Sequence, residues 1–306
     1  MKKISPNVLV ALMAVGMLAA CTKSELSEDI PEVNGDSTVV STKTKKFTFT
    51  LKGDFTSEWK MVNKAPHRTA GYLAADGKDM TDVWVLDYVG GVLQQQLHQD
   101  DNTAEDFGQP TMNLAYGNHH IYFIASRGQS PTLDTENHLV TFTKVLDTFY
   151  KDYEVSVVST SNGNRAVTLD RVITRLRLTF TDAVDAEAAT INITPHTWYY
   201  GWDYVNGVPA DTKTDYTTTI DIPSNKLGTT GLQVNLYGFS SATQWTTDVS
   251  VNSKKADQTV IGSATISDVP LKANRISELS GPLFSSGGAM TLSLNSTWDD
   301  AYEGTW

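Results

Sequence analysis

The sequence predicts an all-β protein built as two tandem β-sandwich domains, and three observations carry this. Apolar residues recur with a period of two through most of the chain from Lys46 onward. Gly, Asn, Asp and Pro interrupt them at short intervals, and hardly any stretch has the spacing of a long amphipathic helix. A sandwich commonly takes about 100 residues, so residues 46–306 have room for two.

The elements follow in chain order. Met1-Lys2-Lys3 is basic and residues 8–20 are apolar. At a rise of about 1.5 Å per residue this run falls short of a ~30 Å hydrocarbon core, so residues 1–20 read as a signal peptide and not as a membrane span. Leu18-Ala19-Ala20-Cys21 resembles the lipobox of bacterial lipoproteins, whose cysteine is acylated and becomes the mature N-terminus. Cys21 is the single cysteine of the chain, which excludes an intrachain disulfide and a cysteine-rich metal site. The resemblance implies covalent lipid on Cys21, no other cofactor, and attachment to the outer membrane through acyl chains worth about 0.8 kcal/mol per buried CH₂. Glu25, Glu28 and Asp29, soon after the cysteine, resemble the signal that exports Bacteroidota lipoproteins to the cell surface. Residues 21–45 are polar, carry Pro31 and Gly35, and read as a flexible acidic tether.

The first sandwich is expected over 46–163. Phe47, Phe49 and Leu51 alternate with polar residues. Trp84, Leu86 and Tyr88 form one face of a strand whose other face is Val83, Val85 and Asp87, with Gly90-Gly91 as the turn into Val92. Ile121, Phe123 and Ala125, then Val140 and Phe142, then Val155 and Val157 continue the pattern, with a short helical turn expected around 145–150. Asn162-Gly163 marks the boundary. The second sandwich, 164–306, repeats the alternation at Leu176, Leu178 and Phe180, at Ile191 and Ile193, at Ile220 and Ile222, at Leu232, Val234 and Leu236, and at Met290, Leu292 and Leu294.

Charge narrows the function. The chain has 35 Asp+Glu against 24 Lys+Arg, a net −11; removing residues 1–20 takes Lys2 and Lys3 with it and leaves −13. Phosphate backbones need a basic surface, so nucleic acid is excluded as a partner. No G-x-S-x-G elbow, phosphate-binding loop or H-E-x-x-H occurs, and a non-enzymatic role is expected. His119 and His120 are strand neighbours that point to opposite faces and cannot share one metal. The acidic loop from His98 to Asp106 lacks the spacing of a calcium loop and reads as solvated surface. Arg171, Arg175 and Arg177 are expected to pair with carboxylates. Trp198, Tyr199, Tyr200, Trp202 and Tyr204 offer two readings: a platform on which sugar rings stack, or rings packed in the second sandwich and over an interdomain seam.

Several segments then point to a family: D-V-W-V-L-D-Y at 82–88 before a glycine turn, Y-G-N-H-H-I-Y at 116–122, V-T-L-D-R-V at 167–172, V-P-L-K-A-N-R-I at 269–276, and Trp306 at the end. Together with the lipobox and acidic tether they resemble the fimbrillin superfamily of Bacteroidota, in its branch of fimbrial subunits and anchors. The resemblance implies two transthyretin-like, Greek-key sandwiches and a surface lipoprotein of the fimbrium that partners other fimbrial subunits by β-strand exchange. It places a protease-processing site in the loop after the first strand, where Arg68 or Lys64 is available, and a donor strand at Met290, Leu292 and Leu294. The competing reading of that last strand is an edge strand of its own sandwich. A glycan or host ligand bound through residues 198–204 is the alternative function.

Overall fold

Alternation builds the strands as the sequence implies. In β1 (Thr44–Gly53) Phe47, Phe49 and Leu51 are buried while Thr48, Thr50 and Lys52 are not. The computed structural model describes residues 43–53 and 80–285, and the backbone of 291–295. Among the described residues there is no α-helix, only a 3₁₀ turn at Ser224–Lys226. The helical turn expected at 145–150 is absent, because Thr148, Phe149 and Tyr150 open a strand instead.

The first half contains β2 (Asp82–Val89), β3 (Val92–Gln99), β4 (Thr111–Ala115), β5 (Gly117–Ser126), β6 (Thr132–Asp134), β7 (Leu139–Thr141), β8 (Thr148–Val157) and β9 (Asn164–Arg171). The second contains β10 (Ile173–Phe180), β11 (Ala188–Pro195), β12 (Thr197–Asp203), β13 (Val208–Thr214), β14 (Thr218–Asp221), β15 (Leu232–Phe239), β16 (Trp245–Lys255), β17 (Val260–Leu271), β18 (Ile276–Gly281) and β19 (Thr291–Asn295).

Pairing reveals an internal repeat. In the first half β1 pairs antiparallel with β4 and parallel with β9, while β3, β2, β5 and β8 lie side by side in that order. In the second half β10 pairs antiparallel with β15 and parallel with β18, while β14, β11, β16 and β17 lie side by side in the same way. Strands β1, β2, β3, β4, β5, β8 and β9 thus correspond to β10, β11, β14, β15, β16, β17 and β18. This is the transthyretin-like order that the family resemblance implied. In the first repeat the two sheets join where Phe149 pairs Arg171 and Tyr150 pairs Asp170.

Each repeat carries one extra hairpin, β6–β7 in the first and β12–β13 in the second. The two hairpins meet through β7 and β12 to form a fourth sheet, ordered β13-β12-β7-β6. Pairing therefore crosses the boundary expected between residues 163 and 164: β9 belongs to the first sheet, and the hairpin of the first half pairs with the second. The described residues fall in a single compact unit.

Two apolar cores result. Phe47, Phe49, Val83, Val85, Ile121, Phe123, Val167 and Leu169 fill the first sandwich, with the Phe49 and Phe123 rings 5.0 Å apart and edge-on. The opposite faces of β2 and β5, Trp84, Leu86, Tyr88, Tyr122 and Ile124, belong to a second core shared with Trp198, Tyr200, Trp202, Tyr204 and the sheets of the second repeat. A strand buried on both faces commits the two repeats to one folding unit. Replacing Leu86, fully buried on the shared face, by Ala is expected to cost about 2–5 kcal/mol. Urea melts followed by tryptophan fluorescence and by far-UV circular dichroism should shift together in one transition; two separated transitions would show that the repeats unfold independently.

Candidate functional site

The candidate site is β1 and the groove it fills. β1 lies between β9 and β4, in the interior of its sheet, although it is the first described strand. Its backbone is held on both sides: the Thr48 amide donates to the Gly163 carbonyl (2.7 Å), the Phe49 amide to that of Pro110 (2.9 Å) and the Leu51 amide to that of Gly108 (3.1 Å). Gly163 is required here, since a Cβ at that position would collide with the Lys46 carbonyl. Phe47 and Phe49 stack at 6.0 Å, Arg165 lies 5.5 Å over the Phe47 ring, and Tyr153 meets Phe49 edge-on at 6.2 Å. Removing β1 would leave unpaired β4 and β9 edges flanking an apolar trough, the geometry that accepts a foreign strand.

At the other end of the chain, β19 pairs antiparallel with β18 at the edge of the sheet ordered β15-β10-β18-β19, with Leu292 in register with Leu279 and Leu294 with Ser277. This is the edge-strand arrangement. The chain ahead of it is pinned: the Asp182 carboxylate accepts hydrogen bonds from the amides of Leu283, Phe284 and Ser285 (3.0, 2.8 and 2.6 Å) and from the Ser285 hydroxyl (2.9 Å). Leu283 also runs against Gly262, where a Cβ would meet its carbonyl. Met290, Cys21, Lys64 and Arg68 lie outside the described residues.

The aromatic segment 198–204 is not an exposed platform. Trp198, Tyr200 and Trp202 alternate along β12, so they share one face, and that face is buried; Tyr204 is 0% exposed and only Tyr199 is partly open. The Trp198 indole donates to the Tyr237 carbonyl at 3.0 Å, and the hydroxyls of Tyr88 and Tyr204 lie 2.9 Å apart. Burial pushes the phenols of Tyr204 and Tyr150 well above the ordinary tyrosine range and that of Tyr122 up to about 12, so all three stay neutral. The rings serve the interior and the seam between repeats.

His119 and His120 do point to opposite faces. His119 is buried with Nδ1 2.6 Å from Asp87 Oδ1 and Nε2 2.8 Å from the Ala115 carbonyl, whereas His120 faces Asp152. In the acidic loop Asp101 accepts from the amide and hydroxyl of Thr103 (3.0 and 2.6 Å), bonds that hold its carboxyl below the usual range. Among the described residues no three His, Cys, Asp or Glu side chains are placed to hold a metal ion. Arg171 forms a two-pronged bridge to Asp147 (2.7 and 2.9 Å), and Arg177 bonds Glu278 at 2.6 Å. Arg175 is buried 6.0 Å from the Tyr237 ring.

Residues 132–305 match DUF6562, a family of unknown function. The chain belongs to this family. No curated protein matches it. The structure is similar to a candidate adhesin from Bacteroides ovatus, with a TM-score of 0.50 and 14% identity over 83% of this chain and 95% of that one. It is also similar to a candidate polysaccharide binding protein (DUF1812) from Bacteroides thetaiotaomicron, with a TM-score of 0.52 and 11% identity over 82% of this chain and 95% of that one. The tip fimbrial protein Mfa3 from Porphyromonas gingivalis, with a C-terminal truncation, aligns with a TM-score of 0.44 and 11% identity over 82% of this chain and 99% of that one. At these identities the likeness is one of fold. The family match spans both extra hairpins and the whole second repeat.

The clamp ahead of β19 gives a pH prediction. Burial alone would raise the Asp182 pKa, but the bonds from Leu283, Ser285 and Phe284 outweigh it and hold the carboxyl below its ordinary 3.8. A depressed carboxylate contributes stability above its unfolded pKa and loses it as pH falls through the folded value. Protection factors at 283–285, the exchange rates corrected for the intrinsic effect of pH, should therefore fall as pH drops below about 4, and Asp182→Ala should lower them at neutral pH, consistent with a loss of about 1–3 kcal/mol. Unchanged protection in the variant would remove the clamp from this account.

Proposed function

We propose that this protein is a surface-exposed, non-enzymatic subunit of a fimbria or related adhesive assembly, anchored by lipid on Cys21 to the outer membrane and joined to other fimbrial subunits by β-strand exchange. The observation that carries the reading is the placement of β1: an N-terminal strand inserted between β9 and β4, contributing Phe47, Phe49 and Leu51 to the first core and followed by a segment that holds Lys64 and Arg68. The transthyretin-like fold shared with adhesin-class proteins of Bacteroides supports it. Cleavage after Lys64 or Arg68 would free lipid and strand together and open the groove to a strand from another subunit. Retention of both would keep the protein as a membrane-bound terminus of the fibre. The buried state of 198–204 favours this reading over a sugar platform at that segment.

Two measurements test it. Mass spectrometry of the protein from its native cells is expected to find an acylated N-terminus at Cys21 for an anchor, or an unlipidated one just after residue 64 or 68 for a polymerising subunit. A chain beginning at residue 80 should bind a synthetic peptide of residues 43–53 and be stabilised by it, whereas the intact chain should not. A truncated chain that is folded and indifferent to that peptide would sink the exchange reading.

A further inference from the structure

The two repeats differ in one strand. In the second, β18 is flanked on its outer side by β19, which takes Ile276, Glu278 and Ser280 as partners in register with Asn295, Ser293 and Thr291. In the first, the corresponding strand is β9. The amide of Thr48 bonds the Gly163 carbonyl as that of Arg175 bonds the Arg275 carbonyl, so Asn164, Ala166 and Thr168 are the equivalents of Ile276, Glu278 and Ser280. In a parallel ladder alternate residues turn both backbone groups to the same neighbour. Arg165, Val167 and Leu169 therefore face β1, and Asn164, Ala166 and Thr168 present their N–H and C=O groups outward.

Nothing among the described residues pairs with that outer edge before Asp170, where β8 begins to meet β9. The Asn164 amide is satisfied by the Asn162 side chain (3.0 Å), while Ala166 and Thr168 are exposed and pair with no described strand on that side. The open stretch matches the five residues of β19, and neither Asn164–Thr168 on its outward positions nor Thr291–Asn295 carries a charged residue. A chain of net charge −11 can bring these two strands together without like charges opposing each other.

We propose that the outer edge of β9 is a docking site for the β19 strand of a second copy of this chain, pairing antiparallel as β19 pairs with β18. The arrangement is head-to-tail and does not close on itself, which is the symmetry of a fibre. It rests on the strand-exchange reading but differs in location, because the acceptor is an edge that no described residue pairs with while β1 stays in place.

The test uses the mature full-length chain and a synthetic peptide of residues 289–297. Ala166→Pro removes one outward N–H and leaves the β1–β9 ladder intact; edge strands tolerate such a proline. Binding of the peptide is expected to protect the amides of Ala166 and Thr168 from hydrogen exchange, and Ala166→Pro, with unchanged circular dichroism and melting temperature, should weaken binding about tenfold or more. Equal binding by Ala166→Pro, or protection confined to Glu278 and Ser280 because the peptide merely replaces its own strand, would overturn the proposal. Peptide binding only after removal of residues 1–79, unaffected by Ala166→Pro, would overturn it too while leaving strand exchange at the β1 groove standing.

Discussion

The two-sided burial of β2 and β5 is the constraint on which the rest of the structure depends. Val83 and Val85 belong to one core while Trp84, Leu86 and Tyr88 belong to the other, so the sheet that closes the first sandwich is also a wall of the second core. Such a wall needs a covering layer, and the sheet made from one hairpin of each repeat supplies it. The covering layer is aromatic, with Trp202 edge-on to Tyr150 at 5.3 Å and stacked on Phe239 at 5.9 Å. Two hydroxyls along the seam find partners inside: Tyr150 donates to the Tyr204 carbonyl at 2.6 Å, and Tyr204 meets Tyr88. Unpaired, a buried hydroxyl would cost about 1–3 kcal/mol, so these bonds permit the aromatic seam as well as decorate it.

Buried charge is handled with equal economy in an acidic chain. Arg171 closes the first repeat at the point where its two sheets join, held by both oxygens of Asp147, by the Asn274 side chain at 3.0 Å and by the Phe149 ring at 4.6 Å. Asn274 precedes β18, so this arginine ties the last strand of the first repeat to the entry of the last core strand of the second. His119 is a second case. Both of its nitrogens face acceptors, the Asp87 carboxylate and the Ala115 carbonyl, an arrangement that favours the doubly protonated ring. Burial opposes that charge, but the Asp87 bond and charge and the Ala115 bond prevail and raise the His119 pKa. The pair's stabilisation is complete below about pH 6.5 and fades as pH rises through the higher folded value. That pH dependence is opposite to that of the Asp182 clamp.

Local alternation was sufficient to place β1, β2, β5 and β10, and to separate His119 from His120. The same rule, applied without preference for exposed aromatics, accounts for residues 198–204: Trp198, Tyr200 and Trp202 at every second position are the mark of a buried strand face, whatever else rings of that kind can do. The extra hairpins had a signal too. Asp134 accepts from the amides of Glu136 and Asn137 and from the Asn137 side chain, and Asp203 accepts in the same way from Val205 and Asn206. D-x-x-N followed by a residue with positive φ, His138 or Gly207, therefore occurs twice, once in each repeat. Pairing between β1 and β9, or between β7 and β12, had no such signal, because parallel and inter-hairpin ladders join segments far apart in sequence and leave no local pattern.

Several sheet edges carry features that the outer side of β9 lacks. β3 is bound back toward β4 by Gln95, whose amide donates to the Asn113 carbonyl at 2.6 Å. β13 carries Pro209 and a positive-φ Asp211; β17 is interrupted by irregular register near both ends and holds Pro270; β6 and β14 are only three and four residues long. Prolines, bulges, short length and side-chain bridges are the means by which folded proteins keep their strand edges from pairing with other molecules. Along Asn164–Thr168 there is no proline or bulge, the Asn162 side chain covers only the first amide, and the register with β1 runs without a shift. A regular stretch, equivalent by internal symmetry to an edge already covered by a strand, is a place where pairing with another molecule meets little resistance.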